Sequence, residues 1–382
     1  MPNEQSKAPS TPHRFPHSML SEIYEQPHAM GECIYRNVKG DCIFPEALRS
    51  FDNAIFACKK IIIAASGSSR HAGLAGEIMM EDLAGIAVDV EYSSEYCYRS
   101  THADTEPIVV VITQSGETAD TIAAQRQALR RGAKALAISN VADSTIAREA
   151  SATLHTFAGL EKAVPATKSF TSQLTILYLL ALFLARQRGR ITAGVVLAHL
   201  GSLSALPAEI EKALPWWDAQ AAGCARDYQH AKAFLFLGRG VHYAIAREGA
   251  LKLKEVSYVQ AEGLPTGELR HGPNALVDEK LPVIVLATRD SADADSVLRY
   301  EKTLAVLEYI QSRGGKAIAI ASEGDRAVAT LADRVIQVPS ATELLLPILE
   351  VVPLQLFAYH FATLNGCDVD HPRNLVKSVT TE

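Results

Sequence analysis

The sequence predicts an α/β protein built from two tandem, doubly wound parallel sheets, each with helices on both faces in three α-β-α layers. Two observations carry this. Short β-branched runs alternate with helical stretches from residue 61 onward, the pattern of strands that each cross over through a helix. The whole pattern then recurs once, with matching turns and matching strand starts. At 382 residues the chain is long enough for two or three domains, each with its own core.

Residues 1–17 are rich in Pro, Ser, Gln and His and read as a flexible leader, followed by a helical arm over about 18–54. Ile61-Ile62-Ile63-Ala64-Ala65 is the first strand, Ser66-Gly67-Ser68-Ser69 a turn, and 70–83 a helix. Strands follow at 88–92, 107–112, 134–139 and 152–156, then a helix at about 169–186. The run 174–185 is the greasiest, and its dozen residues fit a buried core helix better than a membrane span. A linker containing Pro207 and Pro215 leads to the second copy. There Phe234-Leu235-Phe236-Leu237, Gly238-Arg239-Gly240 and a helix over 244–258 repeat the first strand, turn and helix. The strand at 281–286 repeats the third, and 313–320 repeats 131–138. Gln173 finds its counterpart at Gln355 in the last long helix, and loop insertions widen the offset between copies along the way. The expected division is a leader and arm at 1–45, a first domain at 46–200, a linker helix at 201–225, and a second domain at 226–382.

The most informative segment is Thr113-Gln114-Ser115-Gly116-Glu117-Thr118, between the third strand and a helix over 119–131 whose inward residues are expected to be Ala119, Ile122, Ala123 and Leu129. Helix N-termini leave N–H groups unpaired and carry partial positive charge, which suits phosphate. One hydroxyl there is an ordinary cap; three, with Gln and Gly, are more than a cap needs. The second copy has Ala287-Thr288-Arg289-Asp290 at the equivalent place, so only the first domain is expected to hold phosphate.

Charged residues are 21% of the chain and the net charge is −6, which argues against nucleic acid and anionic membranes as partners. Six cysteines lie far apart without a Cys-x-x-Cys pair, and no signal peptide is visible, so a soluble protein of the reducing cytoplasm is expected. No His/Cys/Asp cluster has metal spacing, no NTPase-type phosphate lysine motif is present, and Gly238-Arg239-Gly240 lacks the third glycine of a dinucleotide fingerprint. Neither metal nor cofactor is expected. Glu248, Lys252 and Glu255 share one helix face, either as a solvated ion-pair stripe or as a catalytic carboxylate at the ligand edge of the sheet. His271 lies in Gly267-Glu268-Leu269-Arg270-His271-Gly272-Pro273, as a proton shuttle or an exposed turn residue. The tail from 368 has few apolar positions and by itself reads as a frayed end.

Taken together, Ser66-Gly67-Ser68-Ser69, the segment 114–121, Glu248-Gly249-Ala250-Leu251-Lys252-Leu253-Lys254-Glu255, the His271 loop and the tail ending Lys377-Ser378-Val379-Thr380 resemble the sugar-isomerase (SIS) domain pair. More narrowly, they resemble the isomerase half of glutamine–fructose-6-phosphate amidotransferases, from about residue 18 to the end. The resemblance implies that Ser69, Thr113, Gln114, Ser115 and Thr118 bind a sugar 6-phosphate, with Val164, Ala166 and Val376 also lining the substrate. It implies Glu255 as the base moving a proton between C1 and C2, with Lys252 beside it. His271 would open the sugar ring from the other subunit of a homodimer, and Lys377 would meet the open-chain carbonyl. The tail then becomes a lid. The chain departs from the family pattern at Ser66, where the family has Cys, and at Lys162-Ala163 and Pro165-Ala166, where a hydroxyl contact to the sugar is lost. The chain begins about where the family's glutaminase half would end. Without delivered ammonia, the first expectation is a glucosamine-6-phosphate deaminase, opening the amino sugar and releasing fructose 6-phosphate and ammonia. Second is synthesis of glucosamine 6-phosphate from fructose 6-phosphate and ammonia. A plain aldose–ketose phosphate isomerase and a non-catalytic phosphosugar sensor follow.

Overall fold

The computed structural model describes residues 15–381 except 45, 49, 50, 52–57 and 100–107. Most of the expected leader, part of the arm and the first residue of the expected third strand lie outside the described residues. Strands β1 (Lys60–Ala65), β2 (Ala87–Tyr92), β3 (Ile108–Thr113), β4 (Lys134–Ser139) and β5 (Ala152–His155) form one sheet in the order β2-β1-β3-β4-β5. Strands β6 (Ala233–Gly238), β7 (Gln260–Pro265), β8 (Val283–Ala287), β9 (Ala317–Ser322) and β10 (Arg334–Val338) form the second, in the order β10-β9-β8-β6-β7. Every pairing within both sheets is parallel. Counted from its own first strand, each sheet runs 2-1-3-4-5, so the repeat in the sequence is a repeat of topology. In this order the switch point lies between the first and third strands, where ligands gather beyond the carboxyl ends.

The helices that matter to the site are α1 (Ser18–Tyr24), α2 (Gln26–Asn37), α3 (Gly67–Ala84), α4 (Ala119–Arg130), α5 (Lys168–Gln187), α6 (Ala193–Asp227), α7 (Val241–Ser257), α8 (Ala294–Ser312) and α9 (Leu346–Leu364). Strand alternation sorts the core into layers. Ile61, Ile63 and Ala65 point into a large core shared by both halves, with α3, α5, α7 and α9, while Ile62 and Ala64 pack outward with Ala124 and Ala128 of α4. Phe234 and Phe236 join the shared core, and Leu235 and Leu237 face the cluster containing Tyr300 and Leu307 of α8. The two halves are therefore welded through one interior.

Helix α5 spans 20 residues, close to the expected 169–186, but its apolar character extends beyond the expected dozen and reaches the length and hydropathy of a membrane span. Its apolar window is 94% buried, because it is sandwiched in the shared core and has no solvent face to make polar. Two further helical segments, 193–227 and 343–364, are also long and apolar enough to span a membrane, and the second is 89% buried in the fold. Helix α6 carries Pro207 and Pro215 within its length and connects the two sheets. The inward face of α4 also differs from expectation. Thr121, Ala124, Gln125 and Ala128 are buried, since the Thr121 hydroxyl donates to Ser93 and the Gln125 amide donates to the Ile146 carbonyl. Polar side chains with internal partners defeated the hydrophobic pattern there.

Candidate active site

Both turns at the switch point of the first sheet bring hydroxyls to a helix N-terminus. After β1, Ser66 is the extended N-cap and α3 begins at Gly67, earlier than the sequence pattern suggests, so Ser68 and Ser69 sit in its first turn. The Gln173 amide of α5 donates to Ser69 Oγ at 3.0 Å. After β3, Thr113 is buried, accepts the Gly116 N–H at 3.1 Å, and lies 3.4 Å from the Thr118 hydroxyl at the N-cap of α4. Ser115 Oγ accepts the Glu117 N–H, and the Gln114 carbonyl accepts the Asn140 N–H. Gly116 has φ +72°, and a Cβ there would collide with the Ser144 side chain, so glycine alone allows the curl.

The tail folds onto this cradle. Ser378 Oγ lies 3.0 Å from Ser115 Oγ, and the Val379 carbonyl accepts the first free N–H of α4, that of Ala119. Val376, next in line, is exposed. Lys377 Nζ donates to Glu161 Oε2 at 2.6 Å and to the Ala163 carbonyl at 2.7 Å. Glu161 is buried and also accepts from Ser169 Oγ and from the Thr167 and Ser169 N–H groups. Burial alone pushes its carboxyl up, but Lys377 and these donors outweigh burial and hold it below the ordinary value. Val164 and Ala166 flank Pro165 in this 161–167 loop, both half-buried, and the Val164 N–H donates to the Asp370 carbonyl.

The second half contributes through α7. Lys252 is fully buried and bridges Glu255 Oε1 at 2.5 Å and Glu248 Oε1 at 3.2 Å, so the stripe is an interior triad and not a solvated face. Ser68 Oγ donates to Glu248 Oε1 at 2.8 Å and accepts from Lys252, and His71 Nδ1 lies 2.8 Å from Glu248 Oε2. These contacts carry α7 of one half onto α3 of the other. Burial pushes the Glu248 carboxyl up, yet Lys252, His71 and Ser68 hold it below the ordinary range. Glu255 lies above its ordinary value: burial raises it, and Lys252 and the more distant Lys377 offset burial only in part. Burial opposes the Lys252 charge, but Glu248 and Glu255 outweigh it and keep the ammonium form. One carboxylate is thus locked as an anion and its neighbour is kept basic, a pairing suited to proton transfer.

His271 stands apart. It follows a short 3₁₀ turn after β7, is exposed, and among the described residues makes no side-chain hydrogen bond or ion pair with Glu255 or Lys377. Glu161, Ser68, His71 and Ser378 were not singled out in the sequence. Ser68 and Ser378 fall within quoted motifs, whereas nothing near Glu161 in the chain marks it, because its partner Lys377 is 216 residues away.

The SIS domain family model matches residues 54–183 and 227–365, the two sheet-bearing halves. The chain belongs to the SIS family. Among curated SIS relatives, the isomerizing glutamine–fructose-6-phosphate aminotransferase of Chlorobaculum tepidum is 45% identical over 370 residues, covering 96% of this chain, and that of Bacteroides thetaiotaomicron is 42% identical over the same length. The chain spans 59% of the length of these relatives. Of solved structures, the C-terminal domain of glucosamine-fructose-6-phosphate aminotransferase from Francisella tularensis superposes with a TM-score of 0.87 at 34% identity, covering 95% of this chain and all of that one. A glucosamine-6-phosphate deaminase from Thermotoga maritima shares the fold, with a TM-score of 0.70 at 22% identity over 95% of this chain and 99% of that one. The curated relatives are named as aminotransferases, which matches the second expectation and not the deaminase expected first.

Proposed function

We propose that this SIS protein interconverts fructose 6-phosphate plus ammonia with glucosamine 6-phosphate plus water, in the manner of the isomerase half of its aminotransferase relatives. The observation that carries the reading is the docking of the tail: Ser378 meets the hydroxyl cradle at Ser115 while Lys377, one residue back, lies within electrostatic reach of Glu255. The 6-phosphate takes the cradle of Ser69, Thr113, Gln114, Ser115 and Thr118, with Val164, Ala166 and Val376 beside the sugar. The Ala119 N–H, now given to the Val379 carbonyl, becomes available when the tail shifts. Lys377 forms an imine at the C2 carbonyl of the open-chain ketose with loss of water, and ammonia displaces the lysine to leave a C2 imine. Glu255 removes a proton from C1 as the imine nitrogen gains one, giving an enaminol, and returns the proton to C2 as the C1 hydroxyl loses its own, giving the 2-amino aldose. Deamination is the same path reversed. Lys252 holds Glu255 in place. His271, exposed on its own chain, opens the ring in the site of a second copy, which makes the active unit a homodimer. Incubation with fructose 6-phosphate and ammonium chloride should produce glucosamine 6-phosphate, and the amino sugar should in turn release ammonia and fructose 6-phosphate. Binding of both sugars without either conversion would favour a sensor and overturn the enzymatic reading.

A further inference from the structure

Helix α1 reaches the Lys377 amine through a single residue, Ala163. Glu22 of α1 is 3% exposed, and its Oε1 accepts the N–H groups of both Lys162 and Ala163. The carbonyl of that same Ala163 accepts Lys377 Nζ, and neighbouring Glu161 takes the ammonium from the other side. The strap is closed by Asp370: its carbonyl accepts the Val164 N–H, and its carboxylate accepts the Ser18 and Met19 N–H groups at the start of α1. The loop is therefore gripped on one face by α1 and the tail, and offers acceptors to Lys377 on the other.

Glu22 is an uneasy grip. Its second oxygen, Oε2, is buried without a hydrogen-bond partner. Glu161 and Lys377 lie across the loop, and His17, Glu25, Lys162 and Asp370 surround the cavity of about 300 Å³ that Glu22 borders. Glu25 is already taken by Lys168, at 2.6 Å. We propose that Glu22 is a positioning residue for Lys377, holding the 161–164 loop so that the Ala163 carbonyl and Glu161 aim the amine at the substrate. The proposal rests on the assignment of Lys377 to the active site. Burial first, then Glu161, raises the Glu22 carboxyl to about 7 against the pull of two N–H groups and Lys377. A carboxyl raised in the fold contributes stability below its ordinary value and loses it as pH rises through about 7. At pH 8 the ionised grip thus works against stability, which separates positioning from a structural role.

Glu22→Gln keeps an acceptor but no charge, and Glu22→Ala keeps neither. At pH 8, Glu22→Gln should melt higher than wild type while turning over several-fold more slowly. Its rate should also lose any inflection near pH 7. Glu22→Ala should speed deuterium exchange in a peptide spanning 160–166. It should also slow borohydride trapping of the Lys377 imine with fructose 6-phosphate by roughly tenfold or more, at a phosphosugar affinity changed far less. Wild-type protein that binds the phosphosugar yet traps no imine overturns the Lys377 assignment and this proposal with it. Wild-type trapping matched by Glu22→Ala at the same rate, with unchanged exchange, overturns the positioning role alone.

Discussion

Ser115 and Thr118 are the side chains on which phosphate affinity is expected to rest. Removing a hydrogen bond to a charged group costs about 1.5–3 kcal/mol, roughly tenfold to a hundredfold in affinity. Ser115→Ala with Thr118→Ala should therefore raise KM for the phosphosugar by at least that factor in steady-state assays, and an unchanged KM would place the phosphate elsewhere. The strand-to-helix turn was legible in the sequence because its hydroxyls fall within six residues and its helix N-terminus is local. Glu161 and Glu22 were not, since their partners come from distant segments and only burial gives them meaning. Helix spacing placed Glu248, Lys252 and Glu255 on one face, although spacing alone could not separate an interior triad from a solvated stripe, and the choice of Glu255 as base came from the resemblance. Glu255→Gln should bind substrate but lose about 10²–10⁴ in rate and fail to exchange a carbon-bound proton with deuterated water. Because burial raises the Glu255 carboxyl, the base-dependent rate should fall off on the acid side at a pH above the ordinary carboxylate range.

The tail is the element on which composition and resemblance disagreed most, the one reading a frayed end and the other a lid. By composition it is a frayed end; in the fold Val369 is fully buried and Asp370 caps α1, while Lys377 meets the 161–163 loop and 378–379 dock on the 115–119 turn. Core attachment and lid thus separate near residue 373. Deleting residues from Asn374 onward should abolish turnover and leave the melting temperature nearly unchanged, since the anchors at 369 and 370 remain. Retained turnover would leave Lys377 without a role. The second half offers a contrasting element. Where the first half has hydroxyls at the start of α3, α7 begins with buried His242, clamped by Glu343 at 2.9 Å and Glu350 at 2.8 Å. Burial opposes its charge, but the two carboxylates raise the imidazole to about 10. That stabilisation is full below the ordinary imidazole value and is lost as pH rises through about 10, so the melting temperature should fall across that window and His242→Gln should flatten the fall.

At the scale of the whole molecule, the doubled sheet topology was legible because turns, strands and even Gln173 and Gln355 recur in the sequence. What the repeat did not reveal is that both halves share one core, which brings α7 of the second onto α3 of the first and so makes one site from two domains. The role proposed for the exposed His271 would extend that logic to a second copy. Mixing inactive His271→Ala with inactive Glu255→Gln protein should restore partial activity in mixed dimers, and a fully active monomer in light scattering would exclude the shared site. The most direct measurement follows one atom. With fructose 6-phosphate labelled with ¹³C at C2 and ammonium in solution, carbon NMR should show the ketose C2 signal replaced by that of an amine-bearing carbon in glucosamine 6-phosphate. A C2 signal that persists, or one that moves to the hydroxyl-bearing carbon of glucose 6-phosphate, would contradict the proposed amination.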